Sequence, residues 1–522
     1  MDKTSTVSKF ENIILICLSA YFLLLVIFSL QWRLELDSPL MAYLAFLMDR
    51  YHYVPYRDFF DMNMPGTYLI NLITGRLFGF SDFGFRCADL IYLGAILTAT
   101  FLWMRKLGWK VAWCGTVLFG IIYLRYGPAM SLQRDYFIIL PTILSLLISS
   151  LPKLNIAAKC SIIGFLFGLS ATVKPHSAIA LPLVLLFLLF EVKQQDNSKS
   201  FPVLKLFLIL LSSAAGFAVP IFAMFFYLWK IGALPAFLDI ANNYWPLYNS
   251  LNGELRTIGG LERINYLING YFTFGGKSFW FAPSVIGIFI SLFHSNMSTV
   301  QKRQVLLLIG MAFCFSIYTV FADKFWTYHW LLFSYFLLLL SSLCLVKQVD
   351  VKTKFQRVFP IAILLVVIFI HFRPSVDRDF FKQVRGYVPP ESSMGRRFDI
   401  IASYLKANLK TGDKVQPLDW AGSAAHALLI AEIPLATPFM YDFHFYHHVS
   451  NKYIQNLRKK FIEKSVDSKP KFIIQIKDRR SWPSGVDSTR EFKELELFLA
   501  QNYSIAFIEE GGYAIYKRNK ET

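Results

Sequence analysis

The chain has 522 residues, 55% hydrophobic and 17% charged, with a mean hydropathy of +0.44, which is too apolar for one water-soluble domain and too long for a simple anchor. Its formal net charge of +18 does not point to nucleic acid, because many lysines and arginines stand in short links between apolar runs, where they set topology and attract anionic lipid. The six cysteines, Cys17, Cys87, Cys114, Cys160, Cys314 and Cys344, lie in or beside apolar runs and offer neither a disulfide framework nor metal-ligand spacing.

Lys3 and Lys9 precede the apolar run Ile13 to Leu30, and Gln31-Trp32-Arg33 supplies no small-residue cleavage site, so the run reads as an uncleaved first span entering from the cytoplasm. A membrane helix needs about 20 apolar residues, fewer where neighbouring helices and local thinning help. About eleven segments meet that standard: 13–30, 83–104, 111–125, 136–151, 160–173, 178–192, 204–229, 278–294, 305–321, 328–346 and 358–372. This register places Arg105, Lys106, Lys110, Lys153, Lys159, Lys193, Lys199, Lys205, Lys302, Arg303, Lys347, Lys352, Lys354 and Arg357 on the cytoplasmic side. The shorter outward links keep only Arg125, Arg134, Lys174 and Lys324, which satisfies the positive-inside bias.

Counting Thr67 to Phe80 as a full span would invert every later loop, so it belongs to a first outer loop, 31–82, with two interfacial helices. In the first of these, Leu40, Met41, Leu44, Leu47 and Met48 fall at helical spacing behind Asp37-Ser38-Pro39 as cap and first turn. A second large outward loop, rich in Tyr, Trp and Asn, runs from Lys230 to Lys277. An odd number of spans leaves everything after Arg373 outside the cytoplasm. There, helices at 399–409 and 491–499, strands at 414–418 and 472–476, and a hairpin of 504–508 and 513–516 about Gly511-Gly512 describe a small α/β domain. The expectation is a polytopic α-helical membrane domain, 1–373, followed by an extracytoplasmic α/β domain, 374–522.

Acids beside a bilayer need a reason, since desolvation penalises their charged form. The first outer loop carries Asp37, then Asp58 and Asp61 within Tyr56-Arg57-Asp58-Phe59-Phe60-Asp61-Met62-Asn63-Met64-Pro65-Gly66. Asp37 suits a helix N-cap and also a general base, and one carboxylate can do both. Asp58 can pair with Arg57, and Asp61 or Asn63 can cap the helix opening at Pro65; three acids in one loop, anchored by Tyr56 and Phe59, can equally surround a pocket at the membrane surface. Lys174, Lys324 with the Tyr328-His329 pair, and Arg134-Asp135 stand at outward helix ends. Lys174 and Lys324 there either snorkel or meet a lipid phosphate, whereas Arg134 and Asp135 suit an ordinary ion pair. His444, His447 and His448 stand among Tyr441, Phe443, Phe445 and Tyr446 in the tail; the His444 and His448 spacing lacks a companion glutamate, so an aromatic face is favoured over zinc and no metal is expected.

The arrangement resembles the GT-C membrane glycosyltransferases, in particular protein O-mannosyltransferases and the bacterial transferases that move aminoarabinose onto lipid A. Their first outer loop has an early acid and then a Phe-Asp-x-His-Pro-Pro-like segment, which Asp37 and Phe60-Asp61-Met62-Asn63-Met64-Pro65 resemble, with departures at Asn63 and Met64 and at Ser38, where the mannosyltransferases have a second acid. Phe78-Gly79 through Arg86, Asp135, Thr172-Val173-Lys174 and Lys324 through His329 continue the likeness in the same order. The resemblance implies transfer of a sugar from a polyprenyl-phosphate donor to a lipid, glycan or protein hydroxyl outside the membrane, with inversion and without a cofactor. In it Asp37 and Asp61 would be catalytic, and Arg57, Asp58, Asp135, Lys174, Lys324 and His329 would bind substrate. It also implies a bacterial inner membrane with the tail in the periplasm. A flippase or transporter of lipid-linked glycans is the rival class, but transporters carry internal repeats and charges near the midplane, whereas the charges here collect at outward helix ends and the chain shows no repeat.

Overall fold

The computed structural model describes residues 3–195, 203–276, 279–349, 353–371, 394–420, 422–478, 480, 482–509 and 512–519. Lys199, Lys277, Lys352, Gly511 and the expected boundary at 373 lie outside them. In chain order the longer helices are α1 (Lys3–Ser29), α2 (Asp37–Arg50), α3 (Pro65–Phe78), α4 (Asp82–Met104), α5 (Trp109–Arg125), α6 (Arg134–Ser149), α7 (Ile156–Val173), α8 (Leu181–Gln195) and α9 (Val203–Lys230). They continue with α10 (Leu234–Asp239), α11 (Trp245–Asn249), α12 (Gly260–Gly276), α13 (Phe281–Phe293), α14 (Thr299–Ala322), α15 (Leu331–Ser342) and α16 (Lys354–His371). Each apolar segment named from the sequence is thus helical, and among the described residues 7 helices are long and apolar enough to cross a membrane. Phe281–Phe293 and Val358–His371 are shorter apolar helices. The chain is a multi-pass membrane protein.

Compactness divides the chain differently from the expected boundary. One unit comprises Met1–Gln31, Asp89–Ala223 and Leu267–Tyr387; the other comprises Trp32–Ala88, Met224–Tyr266 and Val388–Thr522. Most of both loops, within Trp32–Ala88 and Met224–Tyr266, therefore belongs to the same compact unit as the tail.

In the first unit, nearly every residue of Thr327–Leu345, which contains α15, is buried, as a helix apolar all round must be. Helices α7 and α9 meet at small residues: a Cβ on Gly164 would stand 2.1 Å from the Ser213 carbonyl oxygen, and one on Gly216 would stand 2.0 Å from that of Ser161. Backbones approach this closely only where side chains are absent.

In the second unit, four strands form a sheet in the order β2 (Val415–Leu418), β3 (Phe472–Ile476), β6 (Tyr513–Arg518), β5 (Tyr503–Glu509). β2 and β3 are parallel, and β6 runs antiparallel to both β3 and β5, so the expected hairpin is present. Helices Met394–Asn408 and Lys493–Asn502 match expectation, whereas Ser423–Ala431 and Lys452–Ser468 had not been expected. A two-residue parallel pair, β1 (Arg256–Thr257) with β4 (Ser484–Gly485), ties the second loop to the tail.

The first loop is tied on more firmly. Along it, the hydroxyls of Tyr43, Tyr51 and Tyr53 donate to the carbonyls of Ile433, Glu432 and Leu435 at 2.6, 2.8 and 2.8 Å. Helix α2 forms where the sequence placed it, but every residue from Ser38 to Met48 is buried, because Leu40 to Met48 is apolar without interruption and leaves no polar face for solvent. Helix α3 keeps an exposed apolar face, with Ile73, Leu77 and Phe78.

The join between α2 and the tail depends on Gly422. Its φ is +78°, and a Cβ there would stand 2.5 Å from the Leu36 carbonyl oxygen and 3.3 Å from Pro39. Gly422→Ala is expected to destabilise the protein by at least about 1–2 kcal/mol, the cost of the left-handed backbone alone, seen as a lower thermal unfolding temperature of the purified protein; an unchanged temperature would mean the joint is loose.

Candidate functional site

The first loop enters from Trp32 and turns into α2 at Leu36, an N-cap with φ of 53° and no side-chain capping bond. Asp37 is therefore the first helical residue and not the cap, and it is half-buried. A carboxylate in that first turn is stabilising because it faces the positive end of the helix.

Arg57 and Asp58 are occupied locally. The Val54 N–H donates to Asp58 Oδ2 at 2.8 Å while the Asp58 N–H donates to the Val54 carbonyl at 2.8 Å. Arg57 forks onto the same carboxylate through Nε and Nη2 at 3.0 and 2.9 Å. Partial burial pushes the Asp58 carboxyl up, but the bonds from Arg57 and Val54 and the Arg57 charge outweigh it and hold it below its ordinary value. The pair closes a turn.

Asp61 is buried, and its carboxylate accepts from the Tyr68 hydroxyl at 2.7 Å, from Asn63 Nδ2 at 3.0 and 2.9 Å, and from the Met62 N–H at 2.7 Å. The Tyr56 hydroxyl donates to the Asn63 carbonyl at 2.6 Å, and Trp245 Nε1 donates to that of Met62 at 3.0 Å. Burial, and after it the Asp61 charge, pushes the hydroxyl pKa values of Tyr56 and Tyr68 well above the usual tyrosine value, which keeps both as donors. Asn63, where the resembled motif has histidine, thus shares the Asp61 carboxylate with Tyr68 and the Met62 N–H. Tyr68→Phe is expected to cost about 1.5–3 kcal/mol, the worth of a hydrogen bond to a charged group, measured as a drop in thermal stability; a loss below about 0.5 kcal/mol, the least a hydrogen bond contributes, would show that the carboxylate does not depend on it.

The first unit holds a second polar cluster. Asp135, fully buried in the first turn of α6, accepts from Lys174 Nζ at 2.6 Å and from the Tyr318 hydroxyl at 2.6 Å. Lys174 is itself buried and lies 5.9 Å and 5.6 Å from the ring centroids of Tyr318 and Tyr328. A buried, paired lysine is not a snorkelling one. His176 packs against Tyr318 with ring centroids 4.4 Å apart, and His329 packs against Tyr328, the ring that Lys174 approaches. His329 is buried and packs against Trp326 and Tyr328, and its Nδ1 has no hydrogen-bond partner among the described residues. Lys324 is also buried, in a turn whose flanking residues Asp323 and Phe325 have φ of 52° and 49°. The structure therefore brings together Asp135, Lys174 and His329, which come from widely separated links.

Several polar residues escaped the sequence reading. Tyr318 shares Asp135 with Lys174 but sits inside an apolar helix, where a tyrosine reads as packing. Asp89, fully buried in α4, accepts from the Tyr123 hydroxyl at 2.6 Å and the Ser131 hydroxyl at 2.5 Å. Arg33 joins Asp82 at 2.5 Å to Asp399 at 2.9 Å, and His426 Nε2 lies 2.9 Å from Asp82. An intramembrane-edge acid such as Asp82 or Asp89 was itself a signal; its partners could not be read locally.

No family model matches the sequence, and no curated protein sequence matches it significantly. Solved structures do. ArnT from Cupriavidus metallidurans, bound to undecaprenyl phosphate, superposes with a TM-score of 0.58 and 11% identity over 97% of this chain and 98% of that one. The oligosaccharyltransferase of Archaeoglobus fulgidus, in complex with zinc and sulfate, aligns with a TM-score of 0.43 and 11% identity over 96% of this chain and 73% of that one. The chain shares the fold of ArnT, with membrane-length apolar helices and a small sheet-containing C-terminal region.

Proposed function

We propose that this protein is a membrane glycosyltransferase that moves a sugar from a polyprenyl-phosphate donor to an acceptor hydroxyl on the outer side of the membrane. The observation that carries this reading is the fold, shared over nearly the whole length of both chains with an enzyme whose structure holds undecaprenyl phosphate. The outward placement of the loops and tail follows from the positive-inside register of about eleven spans, and it fits a bacterial inner membrane with the tail in the periplasm.

The chemistry asks for few groups. The leaving lipid phosphate is already a stable anion, so no acid need protonate it, and one base suffices where hydrolases use two carboxylates. Asp37 is that base: it takes the proton of the acceptor hydroxyl as the oxygen attacks the anomeric carbon, and a single displacement inverts the configuration. Asp61, its carboxylate filled by Tyr68, Asn63 and Met62, shapes the loop and takes no proton. Arg57 and Asp58 close the same loop. Charge developing on the phosphate needs fixed cations; Lys174, oriented by Asp135, is the first candidate and Lys324 the second, with His329 beside the Lys174–Asp135 pair as a further donor.

Mass analysis of envelope lipids, glycans and proteins with and without the protein tests the reading and identifies the acceptor. Loss of one sugar from one class of molecule is expected; accumulation of an intact lipid-linked glycan on the cytoplasmic side would indicate a flippase instead.

A further inference from the structure

Three of the tail histidines, His444, His447 and His448, join Tyr244 and Ser250 in one chain of hydrogen bonds. The Tyr244 hydroxyl bonds to His444 Nδ1 and, at 3.2 Å, to His447 Nε2. His447 Nδ1 lies 2.9 Å from His448 Nδ1, and His448 Nε2 lies 2.9 Å from Ser250 Oγ. The Ser250 hydroxyl donates to the Leu247 carbonyl at 2.7 Å. Tyr244 ends a π-helical segment, Ile240–Tyr244, a feature frequent at functional sites.

Counting hydrogens fixes the direction of the chain. A hydroxyl has one hydrogen, and a neutral imidazole has one N–H and one lone pair. Ser250, donating to Leu247, must accept from His448 Nε2–H. His448 Nδ1 is then a lone pair and accepts from His447 Nδ1–H. His447 Nε2 accepts from the Tyr244 hydroxyl, and the Tyr244 oxygen accepts from His444 Nδ1–H. This arrangement satisfies every link with all three rings neutral, and burial, which pushes the imidazoles of His444 and His448 below their ordinary pKa, agrees with it.

One atom is left over. His444 Nε2 carries a lone pair, is buried, and has no hydrogen-bond partner among the described residues. A buried acceptor without a donor requires an explanation. Its ring lies against Phe443, Phe60 and Tyr441, with centroids 4.0, 4.9 and 6.3 Å away, and Phe60 directly precedes Asp61 in the candidate loop. A single fixed polar atom among aromatic rings is the usual composition of a small-ligand site.

We propose that His444 Nε2 accepts a hydrogen bond from a hydroxyl of the sugar-bearing substrate, and that Tyr244, His447 and His448 lock the ring in its accepting tautomer. The identity of the ligand as a sugar rests on the function proposed above; the tautomer lock does not. Nitrogen-15 spectra of histidine-labelled full-length protein in nanodiscs, with His444 assigned by its loss in His444→Gln, test the lock. An unprotonated Nε2 is expected, and a protonated one overturns the proposal. Isosteres test the ligand contact, because a glutamine amide reaches the position of Nε2 and an asparagine amide only that of Nδ1. Titrated with undecaprenyl-phosphate mannose and undecaprenyl-phosphate glucose, His444→Asn is expected to bind about tenfold more weakly than the parent, the loss of one hydrogen bond, and His444→Gln within about threefold of it. An unchanged affinity in His444→Asn, or an equal loss in both variants, overturns the contact. Absence of any binding to the parent protein would overturn the sugar assignment together with the proposed function, while the spectra decide the lock separately.

Discussion

Asp37→Asn is expected to lower sugar transfer from a polyprenyl-phosphate donor by about 10²–10⁴-fold, the usual contribution of a positioned general base, with a stability loss of no more than about 1 kcal/mol, the worth of a charge at the helix start. Asparagine keeps the size of the side chain at the start of α2, and Asp37 is not the residue on which the helix is capped, since the N-cap is Leu36 and makes no side-chain bond. The alternative role as an N-cap would lose about 1 kcal/mol of stability and leave turnover alone. Comparing turnover with the unfolding temperature of the same purified variant separates the two roles, and full activity in Asp37→Asn would remove it as the base. The same substitution at Asp61 should behave oppositely, because that carboxylate is buried and filled by Tyr68, Asn63 and the Met62 N–H.

Lys174→Ala should do more than weaken donor binding. It leaves the Asp135 carboxylate fully buried without its cation, and breaking one partner of a buried pair costs about 3–5 kcal/mol. Reduced yield or a lowered unfolding temperature would by itself say nothing about phosphate. Lys174→Met combined with Asp135→Leu removes both charges and should recover most of that stability. If Lys174 also holds the donor phosphate, this double variant folds yet binds undecaprenyl phosphate at least about tenfold more weakly, the loss of one charge-assisted contact. Unchanged affinity in a stable double variant would make the pair purely structural and shift the phosphate role to Lys324.

The acids at the outset of the loop separate clearly once their partners are known. From the sequence, Asp37 suits a cap or a general base, Asp58 a partner for Arg57, and Asp61 a cap for the helix opening at Pro65. The structure shows Asp58 bidentate with its neighbour Arg57, a contact that adjacency in sequence already suggested. It shows Asp61 held by Tyr68, seven residues on, which a helical reading of Pro65 onward could have anticipated. Nothing local, however, indicated that Arg33 would meet Asp399 across 366 residues, or that Tyr244 would stand beside His444 across 200.

Apolar run lengths and their basic flanks determined the membrane helices, because a bilayer imposes length and hydropathy on each helix separately. Alternation and Gly-Gly punctuation likewise determined the hairpin of β5 and β6, a pairing between neighbours in sequence. Tertiary structure alone decided that most of both loops folds with the tail and that Lys174 is paired with Asp135. Those outcomes depend on desolvation and on donors meeting acceptors from distant segments, and neither quantity exists until the chain has folded.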